Sequence, residues 1–149
     1  VVNPSTFLMA IRPDGQGNVS KTHIAWKSED GIPDITSPVS NGELVFVAST
    51  PGMVTCYDAQ DGKKVWEHDY ATDFNASPAL VGHRLYLFSV EGAGIVLEAG
   101  RTYKELARST MGEKIFASPA FVQDRMILRG AQHLFCIGAP SSDKQAKAK

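Results

Sequence analysis

The dipeptide Ser-Pro recurs at Ser37-Pro38, Ser77-Pro78 and Ser118-Pro119, spaced 40 and 41 residues apart. A fixed period of this length ties a chain to an architecture of repeated, stacked units. Each pair is followed by a turn and then by a run of β-forming residues, at 43–47, 84–88 and 125–128. A third run follows in each repeat, at 53–57, 93–97 and 133–137, and a fourth in two of them, at 64–68 and 104–108. One unit is therefore four short strands in about 40 residues, the size of one propeller blade. A β-sandwich, the rival all-β arrangement, gives no reason for Ser-Pro to return at this period.

The reading is an all-β protein: a β-propeller of about three to four blades, each a four-stranded antiparallel sheet, forming part of a larger seven- or eight-bladed ring. The phase of the repeat sets the expected divisions. Propeller repeats occupy 1–140. The outer strands of one blade lie within 6–36, full blades at 37–76 and 77–117, and the inner strands of a last blade at 118–138. Residues 141–149 form a polar tail. Strands at 6–11 and 23–27 are expected to be the third and fourth of the first blade. The last blade is expected to lack its fourth strand, because Ile137 runs into Gly138-Ala139-Pro140.

Small residues such as Ser37, Ser77, Ala79, Ser118 and Ala120 suit the narrow inner end of a blade. Trp26 and Trp66 suit the wide outer end, where a large ring fills the gap between blades. Leu106 is their expected counterpart 40 residues further on, and all three are expected to be largely buried. Pro38, Pro78 and Pro119 are tolerated because an innermost strand is a sheet edge. Between the third and fourth strands of the second blade lies Cys56-Tyr-Asp-Ala-Gln-Asp-Gly-Lys-Lys-Val-Trp66. Asp61-Gly62 within it is a hairpin signal, since glycine accepts positive φ. Asp58 reads as a turn carboxylate rather than a catalytic one, and Trp26 and Trp66 as packing residues rather than a cofactor platform.

The spacing of Asp58, Gly62 and Trp66 resembles the tryptophan-docking motif of the pyrroloquinoline-quinone (PQQ)-like β-propeller repeat family. That family includes quinoprotein dehydrogenases, the outer-membrane assembly lipoprotein of the β-barrel machinery and many bacterial repeat proteins of unassigned function. The resemblance covers residues 6–138 and is greatest to the C-terminal part of the unassigned proteins. The motif is intact once. In the third blade the turn reads Gly100-Arg-Thr-Tyr103, and Asp58 is matched by Glu98 there, by Gly138 in the last blade and by Arg12 in the first. Membership implies export in a bacterium, to the periplasm or the outer-membrane periphery.

For a dehydrogenase the resemblance implies a vicinal Cys-Cys pair, a Trp floor and a calcium cluster holding PQQ. Only Cys56 and Cys136 are present, at equivalent strand positions two blades apart, so each is expected to meet similar packing and remain a thiol. His23, His68, His83 and His133 show no metal-binding spacing. The serines of the Ser-Pro pairs recur with the repeat and lack the strand-to-helix elbow of a hydrolase nucleophile. Gly92-Ala93-Gly94 and Asp14-Gly-Gln-Gly17 read as hairpin tips rather than phosphate loops. No catalytic, metal or cofactor-binding residue is assigned.

The formal net charge is -1, and the tail carries three lysines against one aspartate, so no clustered basic face marks a nucleic-acid partner. No apolar run reaches the roughly 18 residues of a membrane span. The chain begins with Val1 rather than Met, so upstream sequence is expected.

The remaining candidate site is a surface. The links between blades, at 28–36, 69–76 and 109–117, all emerge on one face. They carry Ile32, Ile35, Tyr70, Phe74, Ile115 and Phe116 within a rim of Asp30, Asp34, Asp69, Asp73 and Glu113. Apolar anchors in a polar rim suit a protein interface. Tyr70 and Phe74 are the first-choice anchors. Ile35 and Phe116, just before Ser-Pro, could equally plug the channel. The functional expectation is a non-catalytic scaffold in the bacterial envelope without a cofactor, binding a protein or ligand. The missing blade strands would come from upstream sequence or another chain. The alternative is a fragment of a PQQ- and calcium-dependent dehydrogenase with its catalytic residues in blades not present.

Overall fold

The structure, a computed structural model, describes residues 2, 3 and 6–138. The polar tail lies outside the described residues. The first sheet contains β1 (Val2–Asn3), β2 (Phe7–Ile11) and β3 (Ile24–Ser28). The second contains β4 (Val39–Ser40), β5 (Leu44–Ala48), β6 (Met53–Asp58) and β7 (Lys64–Asp69). The third contains β8 (Ala79–Val81), β9 (Arg84–Phe88), β10 (Ala93–Glu98) and β11 (Glu105–Thr110). The fourth contains β12 (Ala120–Val122), β13 (Arg125–Arg129) and β14 (Leu134–Gly138). Every pairing is antiparallel and follows chain order, so each sheet is a meander.

Sheets in the middle are covered on both faces, which explains the nearly continuous apolar runs of their central strands. Alternation splits each run between two neighbours. Phe46, Cys56 and Val54 pack with Leu85, Leu87 and Ile95 of the next sheet. Val47 and Tyr57 pack with Leu8 and Trp26 of the preceding one. Ile115, Leu128, Ala76 and Phe88 close the seam between the third and fourth sheets.

The Ser-Pro period is a chain of hydrogen bonds between blades. The Ser37 amide donates to Ser77 Oγ and the Ser77 amide to Ser118 Oγ, each at 2.9 Å. The serines sit two residues ahead of the inner strands β4, β8 and β12, so the two bonds tether the second blade to the third and the third to the fourth at the narrow end.

The tryptophans close the wide end. Trp26 Nε1 donates to the Ala59 carbonyl at 2.8 Å and Trp66 Nε1 to the Gly100 carbonyl at 3.0 Å, each reaching the hairpin of the following sheet. Gly62 adopts φ +72°, and its missing side chain is the seat of the Trp26 ring.

Four expectations are corrected. The first sheet has three strands rather than two, because β1 pairs with β2. Leu106 is not the counterpart of Trp66. Trp66 faces Cys56, whereas the residue facing the equivalent Val96 is Ala107; Leu106 falls at the register shift and is 44% exposed. The third hairpin is one residue longer, and that moves the register. Burial also declines along the series, since Trp26 is 8% exposed and Trp66 only half-buried. Finally, Cys56 is buried between the second and third sheets while Cys136 is exposed on the edge strand of the fourth. Equivalent strand positions meet equivalent packing only when both have a following blade.

Candidate functional site

Antiparallel hairpins send the β4–β5 and β6–β7 turns to one end of each blade. The β5–β6 turn and the links between sheets lie at the other end, which holds the six candidate anchors.

Phe74 and Ile115 are fully buried, each three residues ahead of its Ser-Pro serine. Their backbones are fixed by Phe74 N donating to the Thr50 carbonyl at 3.0 Å and Ile115 N to the Val90 carbonyl at 3.1 Å. Tyr70 is half-buried; its ring meets Phe74 edge-on, and its hydroxyl lies 3.2 Å from that of Tyr103 in the next sheet. Burial, then the Tyr103 hydroxyl, push the Tyr70 phenol far above its ordinary range. The three therefore brace the seams rather than stand free, which corrects the choice of Tyr70 and Phe74 as anchors. Ile32 is half-buried. Ile35 and Phe116, two residues ahead of their serines, are 62% and 52% exposed, with Asn75 at the same register between them. Register separates the six: one residue along a link turns an apolar side chain from the seam to solvent.

The carboxylates also divide. Asp30, Asp34, Asp69 and Asp73 are exposed. Asp69 Oδ1 accepts the Ala71 amide at 2.8 Å, steadying a residue at φ +50°. Glu113 instead turns inward and accepts the amides of Gln132 and His133, each at 3.0 Å.

At the opposite end, Asp58 Oδ1 accepts the Gln60 amide at 2.9 Å, the turn role read from sequence, and Oδ2 pairs with Arg101 Nη1 at 2.9 Å. Those hydrogen bonds, the amide first, hold the Asp58 carboxyl below the usual aspartate range. A groove of about 410 Å³ lies beside this pair, lined also by Glu43 and Gln60. Neither the Arg101 nor the Glu113 contact was legible in the sequence; the only signal was each residue's place in a loop facing the neighbouring blade.

Of the histidines, His68 stacks on Tyr103 at 4.3 Å and His133 Nδ1 lies 3.2 Å from Glu113. Among the described residues no three His, Cys, Asp or Glu side chains converge as a metal-holding group. No helix among them is long and apolar enough to cross a membrane.

With this geometry in place, a family model described as outer membrane protein assembly factor BamB matches residues 10–132. The chain belongs to this family. It is 31% identical over 93 residues to the outer membrane protein assembly factor BamB of Burkholderia pseudomallei, covering 62% of this chain and 24% of that protein. The crystal structure of BamB from Moraxella catarrhalis superposes with a TM-score of 0.71 at 15% identity, over 92% of this chain and 40% of that one. The quinohemoprotein alcohol dehydrogenase of Comamonas testosteroni superposes with a TM-score of 0.54 at 22% identity, over 62% of this chain and 16% of that enzyme. The last two likenesses are of fold. The chain thus spans well under half of these relatives and is a partial PQQ-repeat propeller.

Proposed function

We propose that the chain forms part of a BamB-like, non-catalytic scaffold in the bacterial envelope, at the periplasmic side of the outer membrane, and that a protein partner docks on the face carrying the inter-blade links. The observation that carries this reading is the shared register and exposure of Ile35 and Phe116. These two apolar side chains, on the face that also carries exposed Asp34 and Asp73, form anchors within a charged rim. Ile32 flanks Ile35, while Tyr70, Phe74 and Ile115 support the surface from beneath. Family membership supports the scaffold role. Further blades, from additional sequence or another chain, would complete a seven- or eight-bladed ring, beginning with a fourth strand on β14.

The alternative, a fragment of a PQQ-dependent dehydrogenase, draws on shared fold alone, and fold does not carry function. The test is a photo-crosslinking amino acid placed at Phe116, Ile35 or Lys63 and irradiated in an envelope extract. Protein adducts are expected from the first two positions and not from Lys63, at the opposite end. Phe116→Ser should weaken capture about tenfold with an unchanged melting midpoint. Equal adducts from all three positions would remove this face as the docking surface.

A further inference from the structure

The three seams between blades are not closed in the same way. Trp26 locks the first against Gly62 and the Ala59 carbonyl. Trp66 locks the second against the Gly100 carbonyl, helped by the Arg101–Asp58 pair. At the third, the register position of these tryptophans holds Ala107, an exposed residue with no ring to offer.

A carboxylate stands in at the other end of that seam. Glu113, in the link from β11 to β12, has a side chain only 9% exposed. It reaches into the β13–β14 turn, where Oε1 accepts His133 N and Oε2 accepts Gln132 N, with His133 Nδ1 3.2 Å from Oε2. The turn is shaped for it. A Cβ on Gly130 would overlap Glu113 Oε1 and lie 2.7 Å from Cδ. The Lys114 carbonyl accepts the Ala131 amide at 2.9 Å, which holds the link and the turn in register.

We propose that the Glu113 carboxylate is a polar latch on the seam between the third and fourth blades, beside its apolar cluster and the Ser77–Ser118 bond, and that protonating Glu113 loosens the β12–β14 blade while the tryptophan-locked blades stay docked. Charged acceptors make stronger hydrogen bonds to amides than neutral ones, so loss of charge weakens both bonds together. Opening would uncover Ile115 and Leu128 together with Met111, Met126 and Phe135. The charged groups nearby are few. His133 faces the carboxylate from the β13–β14 turn, and Lys114 on the link pairs with Glu91 of the β9–β10 turn at 3.5 Å.

The sign follows from the carboxyl's environment. Burial opposes the charge, but the bonds from His133 and Gln132 outweigh it and hold Glu113 below its ordinary value of 4.5. A group depressed on folding adds stability above its unfolded pKa and loses it as pH falls through the folded value. The latch is therefore closed at neutral pH and opens only in acid, as pH falls below the ordinary glutamate range and through the lowered folded value.

Hydrogen exchange of the full chain tests this. At pH 7, Glu113→Gln and Gly130→Ala should each raise exchange in residues 125–138 about tenfold, with 53–69 unchanged. The double variant should add nothing, because both remove one contact. In the unsubstituted chain, binding of an apolar-surface dye should rise as pH falls below the ordinary glutamate range; Glu91→Gln should keep that rise, and Glu113→Gln should bind dye already at pH 7. Exchange rising equally in all blades, unchanged exchange at 125–138, or additive single effects would each overturn the latch.

Discussion

Gly62→Ala isolates what the tryptophan seat contributes. A Cβ at this position would stand 2.5 Å from Trp26 Cδ2, 2.6 Å from Cε3 and 2.8 Å from Cγ. These are atoms of a rigid ring that is 8% exposed and tethered through Nε1 to the Ala59 carbonyl. The ring must shift, and forcing extra volume into a packed site costs about 1 to 3 kcal/mol. The backbone adds a further cost, since an L-residue at φ +72° loses about 1 kcal/mol. The expected loss is about 3 kcal/mol, or roughly 10 °C in the melting midpoint of a chain this size. Gly42 is the internal control. Its φ is +94° and a Cβ there would meet nothing within 4 Å, so Gly42→Ala should lose only the backbone part, about 1 kcal/mol. Urea unfolding followed by circular dichroism measures both. In a Trp26→Ala background the cost of Gly62→Ala should fall to that of Gly42→Ala. Equal losses at the two glycines, or an unchanged cost without the indole, would refute the seat.

Other outcomes follow from the same geometry. Phe74→Ala should cost about 3 to 5 kcal/mol as a buried-core deletion, while Phe116→Ala stays within about 0.5 kcal/mol, measured by urea unfolding. Burial pushes the Cys56 thiol up to about 12, so at pH 8 a thiol reagent should label Cys136 in the native chain and Cys56 only after denaturation, read by peptide mass. The Asp58 carboxyl is depressed on folding, so its contribution is present above the ordinary aspartate range and lost as pH falls through its folded value. Asp58→Asn should therefore flatten that part of the acid limb of a stability–pH profile.

The repeat period by itself determined the architecture. Ser-Pro at a fixed spacing, strand-length apolar runs and Asp58-to-Trp66 chemistry are local patterns, and an equivalent unit must stack on its neighbours to bury its faces. The same logic made the serines structural, and the structure shows them as the inter-blade bonds themselves. What sequence could not decide was anything set by register or by the presence of a neighbour. One extra residue in the third hairpin moved Ala107 into the tryptophan position and left Leu106 at the bulge. One residue along a link separated buried Phe74 and Ile115 from exposed Ile35 and Phe116, although all four look alike in sequence. Cys56 and Cys136 are equivalent in the repeat and differ because only one has a sheet packed beyond it. Glu113 read as one more member of an acidic rim; only the turn of the next blade, with no side chain at Gly130, draws its carboxylate inward. Periodicity belongs to the chain, whereas burial and pairing belong to contacts between segments distant along it, and those exist only once the blades have stacked.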